Sequence, residues 1–159
     1  MTPEDAARLG ELLLGQRLIA LGVVADGAPI VGLLPYAVAD DRRSLYVQAS
    51  SLAKHTRGLV VGAPWSGLVH EPDDGQLDPL RVPRLQLEGV VEVLSGPHPE
   101  FQAAARGFLR RFPQAAATLQ LGDFGLYRLE LRSGRLVLDF GRAINLSRDH
   151  FEVVAKPGK

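Results

Sequence analysis

Residues Arg17 to Gln48, "RLIALGVVADGAPIVGLLPYAVADDRRSLYVQ", decide the fold. Apolar and β-branched residues alternate with small ones in three runs, and turn signals at Asp26-Gly27 and Asp40-Asp41 separate them. The runs read as strands. Both joins are too short for a crossover, so neighbouring strands must be antiparallel. Asp-Gly is the pair a two-residue hairpin turn favours, because its central positions take positive φ.

On the amino-terminal side, Thr2-Pro3-Glu4-Asp5 predicts a helix start: a hydroxyl cap, proline in the first turn, and carboxylates at the positive end of the dipole. This helix should reach about Leu14 and stop at Gly15. On the carboxy-terminal side, "WSGLVHE" (65–71) reads as a short strand and "EPDDGQLDP" (71–79) as a polar loop. "LRVPRLQLEGVVEVLSG" (80–96) alternates at length, with Leu85, Leu87, Val90 or Val91, and Val93 as inward positions and Pro83 marking an edge or bulge.

"HPEFQAAARGFLRRFPQAAATLQLG" (98–122) predicts a helical segment bent at Pro113, with Phe101, Ala104, Ala105, Phe108 and Leu109 turned to the core. "FGLYRLELRSGRLVLDFGRA" (124–143) predicts a hairpin turning at Ser133-Gly134. Six or seven strands joined mostly by hairpins give a mainly β, α+β architecture: an antiparallel barrel with peripheral helices, expected as one domain over 1–159.

Composition narrows the function. Eighteen basic residues balance 18 acidic ones in 159, which argues against a general nucleic-acid binder. With no cysteine, disulfides, thiolate metal sites and cysteine nucleophiles are excluded. "MTPEDAARLGELLLGQRL" lacks the basic and apolar regions of a signal peptide, and no run has the length of a membrane span. The expectation is a cytoplasmic protein with no membrane partner.

"SSLAKHTRGL" (50–59) concentrates donors: two serines, Lys54, His55, Thr56 and Arg57. If Ser50 or Ser51 caps a helix here, Lys54 and Arg57 share a face beside free backbone amides, which suits a phosphate. The same residues also suit an ordinary surface helix with a serine cap. Phosphate-loop, dinucleotide-fold and zinc-protease motifs are missing, and His55, His70, His98 and His150 are scattered. No nucleophile-elbow sequence surrounds Ser66, and Trp65 is expected to be a packing residue.

With "LIALGVVADGAPIVGLLPYAVADDRRSLYVQASSLAKHTRGL", "LEGVVEVL" and "GDFGLYRLELRSGRLVLDFGRA" in this order, the chain resembles the pyridoxamine 5′-phosphate oxidase-like, FMN-binding split-barrel superfamily, near its haem-utilisation (HugZ-like) branch. The likeness covers about residues 10 to 145 and implies a six-stranded antiparallel split β-barrel that binds FMN between the subunits of a homodimer. It implies that Pro29 to Tyr36, ending in Pro35 and Tyr36, pass beneath the isoalloxazine. Gln48, Ser50 and Ser51 would lie near the ribityl chain and phosphate, and Lys54, Arg57 and Thr56 would contact the phosphate. Gln86 and Phe140 to Arg142 would approach from elsewhere in the dimer.

The oxidase has an arginine-rich strand where this chain has the uncharged "APIVGLLP", so pyridoxamine phosphate oxidation itself is not expected. The resemblance points to an FMN-dependent oxidoreductase acting on a small-molecule substrate or electron donor. A non-catalytic flavin-binding module is one alternative. A haem-binding or haem-degrading protein is another, with His150 standing for the iron-ligating histidine those relatives carry near their end.

Overall fold

The computed structural model describes residues 1–76, 78–94 and 99–154. Thr2 starts helix α1 (Pro3–Gly15) through a reciprocal cap: the Asp5 amide donates to Thr2 Oγ1 and the Thr2 amide donates to Asp5 Oδ2 at 2.9 Å. Leu9, Leu12 and Leu13 recur on one face and are fully buried.

Seven strands follow: β1 (Leu18–Ala25), β2 (Ala28–Val38), β3 (Ser44–Ser50), β4 (Pro64–His70), β5 (Arg84–Val93), β6 (Phe124–Asp139) and β7 (Arg142–Ser147). The first hairpin turns through Asp26 (φ 52°) and Gly27 (φ 75°) with Ala25 opposite Ala28, as the Asp-Gly pair requires. Strands run β3-β2-β1-β4-β5-β6 in space, all antiparallel, and β3 pairs with β6 to close a six-stranded barrel; β7 adds to β6 outside the ring.

Period-2 alternation fills the barrel. Ile19 and Leu21, Leu45 and Val47, Leu85 and Leu87, Val91, and Leu129 and Leu131 point inward and are almost wholly buried. Each such side chain contributes about 1.5–3 kcal/mol of transfer free energy. A second apolar cluster lies outside the ring, where α2 (Pro99–Arg111) lays Ala104 and Phe108 over the outward-facing Ala37 and Leu126. The short helices α3 (Ala115–Leu119) and α4 (Arg148–Glu152) complete the shell.

Two expectations are corrected. The last hairpin does not turn at Ser133-Gly134: β6 continues through these residues, and the turn is Phe140-Gly141, with Gly141 at φ 78°. Gly134 is a glycine because β5 passes close to it; a Cβ there would lie 2.5 Å from the Gln86 carbonyl oxygen. Nor do Ser50 and Ser51 cap an α-helix. The segment is a five-residue 3₁₀ turn, Lys54–Gly58, preceded by Ala53 with no side-chain cap. His98 and the side chain of Val93 lie outside the described residues.

Candidate functional site

The loop after β3 is organised by Ser50. Its hydroxyl donates to Asp123 Oδ2 at 3.0 Å and accepts from the Leu52 amide at 3.2 Å, and its carbonyl accepts from Thr56 Oγ1 at 2.5 Å. The Ser51 amide donates to the Asp123 carbonyl at 2.6 Å. Ser50 and Thr56 are thus spent on shaping the loop. Ser51, Lys54 and Arg57 project to solvent, and Lys54 has no polar partner among the described residues. Arg57 reaches the first hairpin, where its Nη1 lies 2.7 Å from Asp26 Oδ2.

Beside that hairpin tip runs an apolar groove of about 620 Å³, lined by Val24, Pro29, Val31, Pro64, Trp65 and Arg132 among others. It lies on the outer face of β1, β2 and β4, where alternation turns Val31 and Leu33 outward, 70% and 68% exposed. Gly22 opens its floor, since a Cβ there would touch Ser66 Oγ at 3.0 Å. A second hollow of about 480 Å³ continues along the same face to Gln86. Val24 and Pro29 flank the Asp26-Gly27 turn in the chain, so the paired Arg57 stands at one end of the groove. The arrangement offers an elongated apolar bed with the Arg57 cation near its end, the complement of a flat apolar molecule that carries an anionic group.

The expected residues divide. Arg57 reaches the hairpin tip, Ser51 and Lys54 are exposed on the same loop, Ser50 and Thr56 hold that loop together, and Gln86 borders the groove. Pro35 is half-buried and pairs with Leu18 at the far end of β2. The Tyr36 side chain is elsewhere: it is buried in the barrel core and donates to the Leu13 carbonyl at 2.7 Å, anchoring the end of α1. Burial pushes the Tyr36 phenol well above its usual range, against the opposing influence of Arg111. Gln48 is buried and donates to Thr118 Oγ1 at 2.9 Å. Arg142 pairs with Asp5 at 2.6 Å, tying β7 to the start of α1. Trp65 packs as expected, 3% exposed, with its Nε1 donating to the Val90 carbonyl.

His150 is occupied as well. The Ser147 amide donates to its Nδ1 at 2.9 Å, which assigns the proton of the neutral ring to Nε2. Asp26 and Asp123 shape this site without having been singled out as site residues; Asp26 reads locally as a turn, and no local signal connects Asp123 with Ser50 73 residues away. Among the described residues no group of three His, Cys, Asp or Glu side chains is placed to hold a metal ion, and no helix is long and apolar enough to cross a membrane.

No protein-family model matches the chain, and no curated protein matches it by sequence. Solved structures do. A Clostridium acetobutylicum protein related to general stress protein 26, of the pyridoxinephosphate oxidase family, superposes with a TM-score of 0.68 at 12% identity, over 95% of this chain and 99% of its own.

The fold is the pyridoxamine 5′-phosphate oxidase-like split barrel.

A haem-binding protein from Mycobacterium smegmatis has the same split barrel, with a TM-score of 0.81 at 22% identity over 96% of this chain; this chain spans 61% of that protein's length. An FAD-binding protein from Mesorhizobium loti matches with a TM-score of 0.63 at 17% identity, over 84% of this chain and 92% of its own. Split barrels with both kinds of ligand therefore share this architecture.

Proposed function

We propose that this protein is an FMN-binding flavoprotein, an oxidoreductase acting on a small-molecule substrate or electron donor, with its cofactor held at a homodimer interface. The observation that carries the reading is the apolar groove beside the Asp26 hairpin tip that Arg57 reaches, with Lys54 three residues before Arg57 in the same turn. Arg57 presents a fork and Lys54 a point charge, the pair of donors a phosphate monoester takes up. Val24, Pro29 and Val31 offer a dry surface to a ring system, and the backbone of β2 can orient its polar edge. FMN, when bound, supplies the electron transfer; the chain binds, orients and controls access. This division of labour suits a site without an acid–base constellation.

The same face supports the homodimer reading. Val31 and Leu33 stand out from β2 as large exposed apolar side chains, and a second copy laid against them would remove both from water and close the groove.

Haem is the second reading, favoured by the fold shared with the Mycobacterium smegmatis protein and by a groove that would equally accept a macrocycle with carboxylates at its edge. His150 is a poor ligand for it in the present arrangement, because the Ser147 cap directs the proton to the nitrogen that would bind iron. Visible absorbance of the purified protein separates the readings: a flavin doublet is expected, and a Soret band on adding haem with no flavin uptake overturns the flavin proposal.

A further inference from the structure

His55 lies in the middle of the turn that carries Lys54 and Arg57, and its ring rests on β2 at Gly32. A Cβ built on Gly32 would fall 2.5 Å from His55 Nδ1 and 2.9 Å from Cγ and Cε1, so the imidazole fills the volume a side chain would take there. Gly58 closes the same turn and seats it on β1: a Cβ at Gly58 would meet Val23 Cβ at 2.7 Å and the Val24 carbonyl oxygen at 2.8 Å. Two glycines, one in the strand and one in the turn, let the 3₁₀ segment lie directly on the first hairpin.

The seat is unfriendly to charge. His55 Nε2 is shielded from solvent with no hydrogen-bond partner among the described residues. The turn packs on β1 and β2, and these strands contain no carboxylate and no cation; their titratable group is Tyr36, whose hydroxyl is engaged at Leu13. Asp26, at the tip between the strands, is paired with Arg57, and Asp123, behind the loop, holds Ser50. Lys54 and Arg57 flank the ring in the chain and would repel an imidazolium.

We propose that the neutral His55 ring, seated on Gly32, is the positioning residue that holds Lys54 and Arg57 in place for an anionic group, and that its protonation unseats the turn and releases that grip. The flavin reading supplies the identity of the anion, and the latch rests on it for that alone. Burial already holds the imidazole below its usual value. A lowered folded-state value means that the seated turn is fully stable above about pH 6.5 and loses stability as pH falls further.

The test pairs the wild type with His55→Phe, which keeps a ring over Gly32 and removes the proton, and with Gly32→Ala, whose Cβ evicts the ring. Between about pH 8 and about pH 5, wild-type affinity for FMN should fall at least about threefold more than that of His55→Phe; the comparison cancels the phosphate's own titration. At about pH 8, Gly32→Ala should weaken FMN about tenfold while changing riboflavin little. Ligand-free hydrogen exchange gives an independent readout. Amides of residues 54–58, normalised to the barrel strands, should become less protected in the wild type as pH falls and stay unchanged in His55→Phe. Equal pH profiles for the two proteins overturn the latch. If His55→Phe does not fold, the wild-type His55 ring decides by NMR: titration at the ordinary value, with no accompanying change in the turn amides, overturns it. Failure of the wild type to take up any flavin overturns the function proposed above, while the exchange experiment still judges the latch.

Discussion

The Arg57 guanidinium is held at a single corner: Nη1 lies 2.7 Å from Asp26 Oδ2, which leaves its remaining N–H groups turned away from the hairpin tip and available to a second anion. Arg57→Ala and Lys54→Ala should each weaken FMN about tenfold or more and riboflavin by less than about twofold, because only FMN brings the phosphate. Thermal stability should hardly change, since an exposed pair of this kind is worth at most about 1 kcal/mol. Isothermal titration with both flavins checks the first statement, and calorimetry the second.

The two adjacent serines should separate in stability. The Ser50 hydroxyl satisfies Asp123 and the Leu52 amide, so Ser50→Ala should cost about 1–2 kcal/mol. Ser51 caps nothing and its side chain is exposed, so Ser51→Ala should stay within about 0.5 kcal/mol. Denaturant unfolding measures both. The reverse order would return the capping role to Ser51.

These serines also show where local sequence stops being informative. The hairpin at Asp26-Gly27 was legible because its cause is local: two consecutive residues must take positive φ. The helix at Thr2 was legible for the same reason, and the period of the apolar residues placed α2 and the inward Leu85 and Leu87 of β5. Ser50 looked like a helix cap because nothing near it reveals Asp123. Ser133-Gly134 looked like a hairpin turn because the usual reason for such a pair is a turn. Here the reason is the approach of Gln86 from another strand, beside the unpaired Arg132 that bulges β6. The groove was not legible at all; it depends on which outward faces of β1, β2 and β4 come together when the ring closes.

Gly89 should be the least replaceable glycine of the barrel strands. A Cβ there would lie 1.6 Å from the Glu130 carbonyl oxygen, with Trp65 Nε1 at 3.1 Å on another side, and backbone cannot yield as a flexible side chain can. Gly89→Ala should cost about 3 kcal/mol or more and lower Tm by about 6–12 °C. Gly122→Ala meets nothing within 4 Å and serves as the control in the same melting experiment.

Alkaline pH should destabilise the protein through its tyrosines. Burial raises Tyr36, Tyr46 and Tyr127 above their usual value, while the unfolded chain ionises near pH 10. With raised folded-state values, stability is at its full level below about pH 10 and is lost as pH climbs above it, because the unfolded state releases protons first. Tyrosinate absorbance at 295 nm should therefore lag that of the protein in guanidinium and appear together with unfolding.

The outer face of β2 should control assembly. Val31→Glu with Leu33→Glu places two charges on side chains already exposed, so the monomer's fold should survive. Sedimentation should show the wild type as a dimer at micromolar concentration and the variant as a monomer with weakened FMN uptake. A wild-type monomer with and without FMN removes the shared site.

Strand β6 pairs with β5 along one edge from Tyr127 to Val137 and divides the opposite edge, its first half pairing with β3 and its second with β7. During synthesis this imposes an order of assembly. Until residues from Phe124 onward have left the ribosome, the chain can form only an open five-stranded sheet with β3 and β5 as bare edges. Those edges are the kind that invite pairing with another chain. Closure must then span the roughly 80 residues between Ser44 and Phe124, a costly loop by chain entropy and a slow one to form. The segment from Phe124 onward is therefore what turns an adhesive sheet into a closed ring, and nascent chains stalled before it are where misassembly should concentrate.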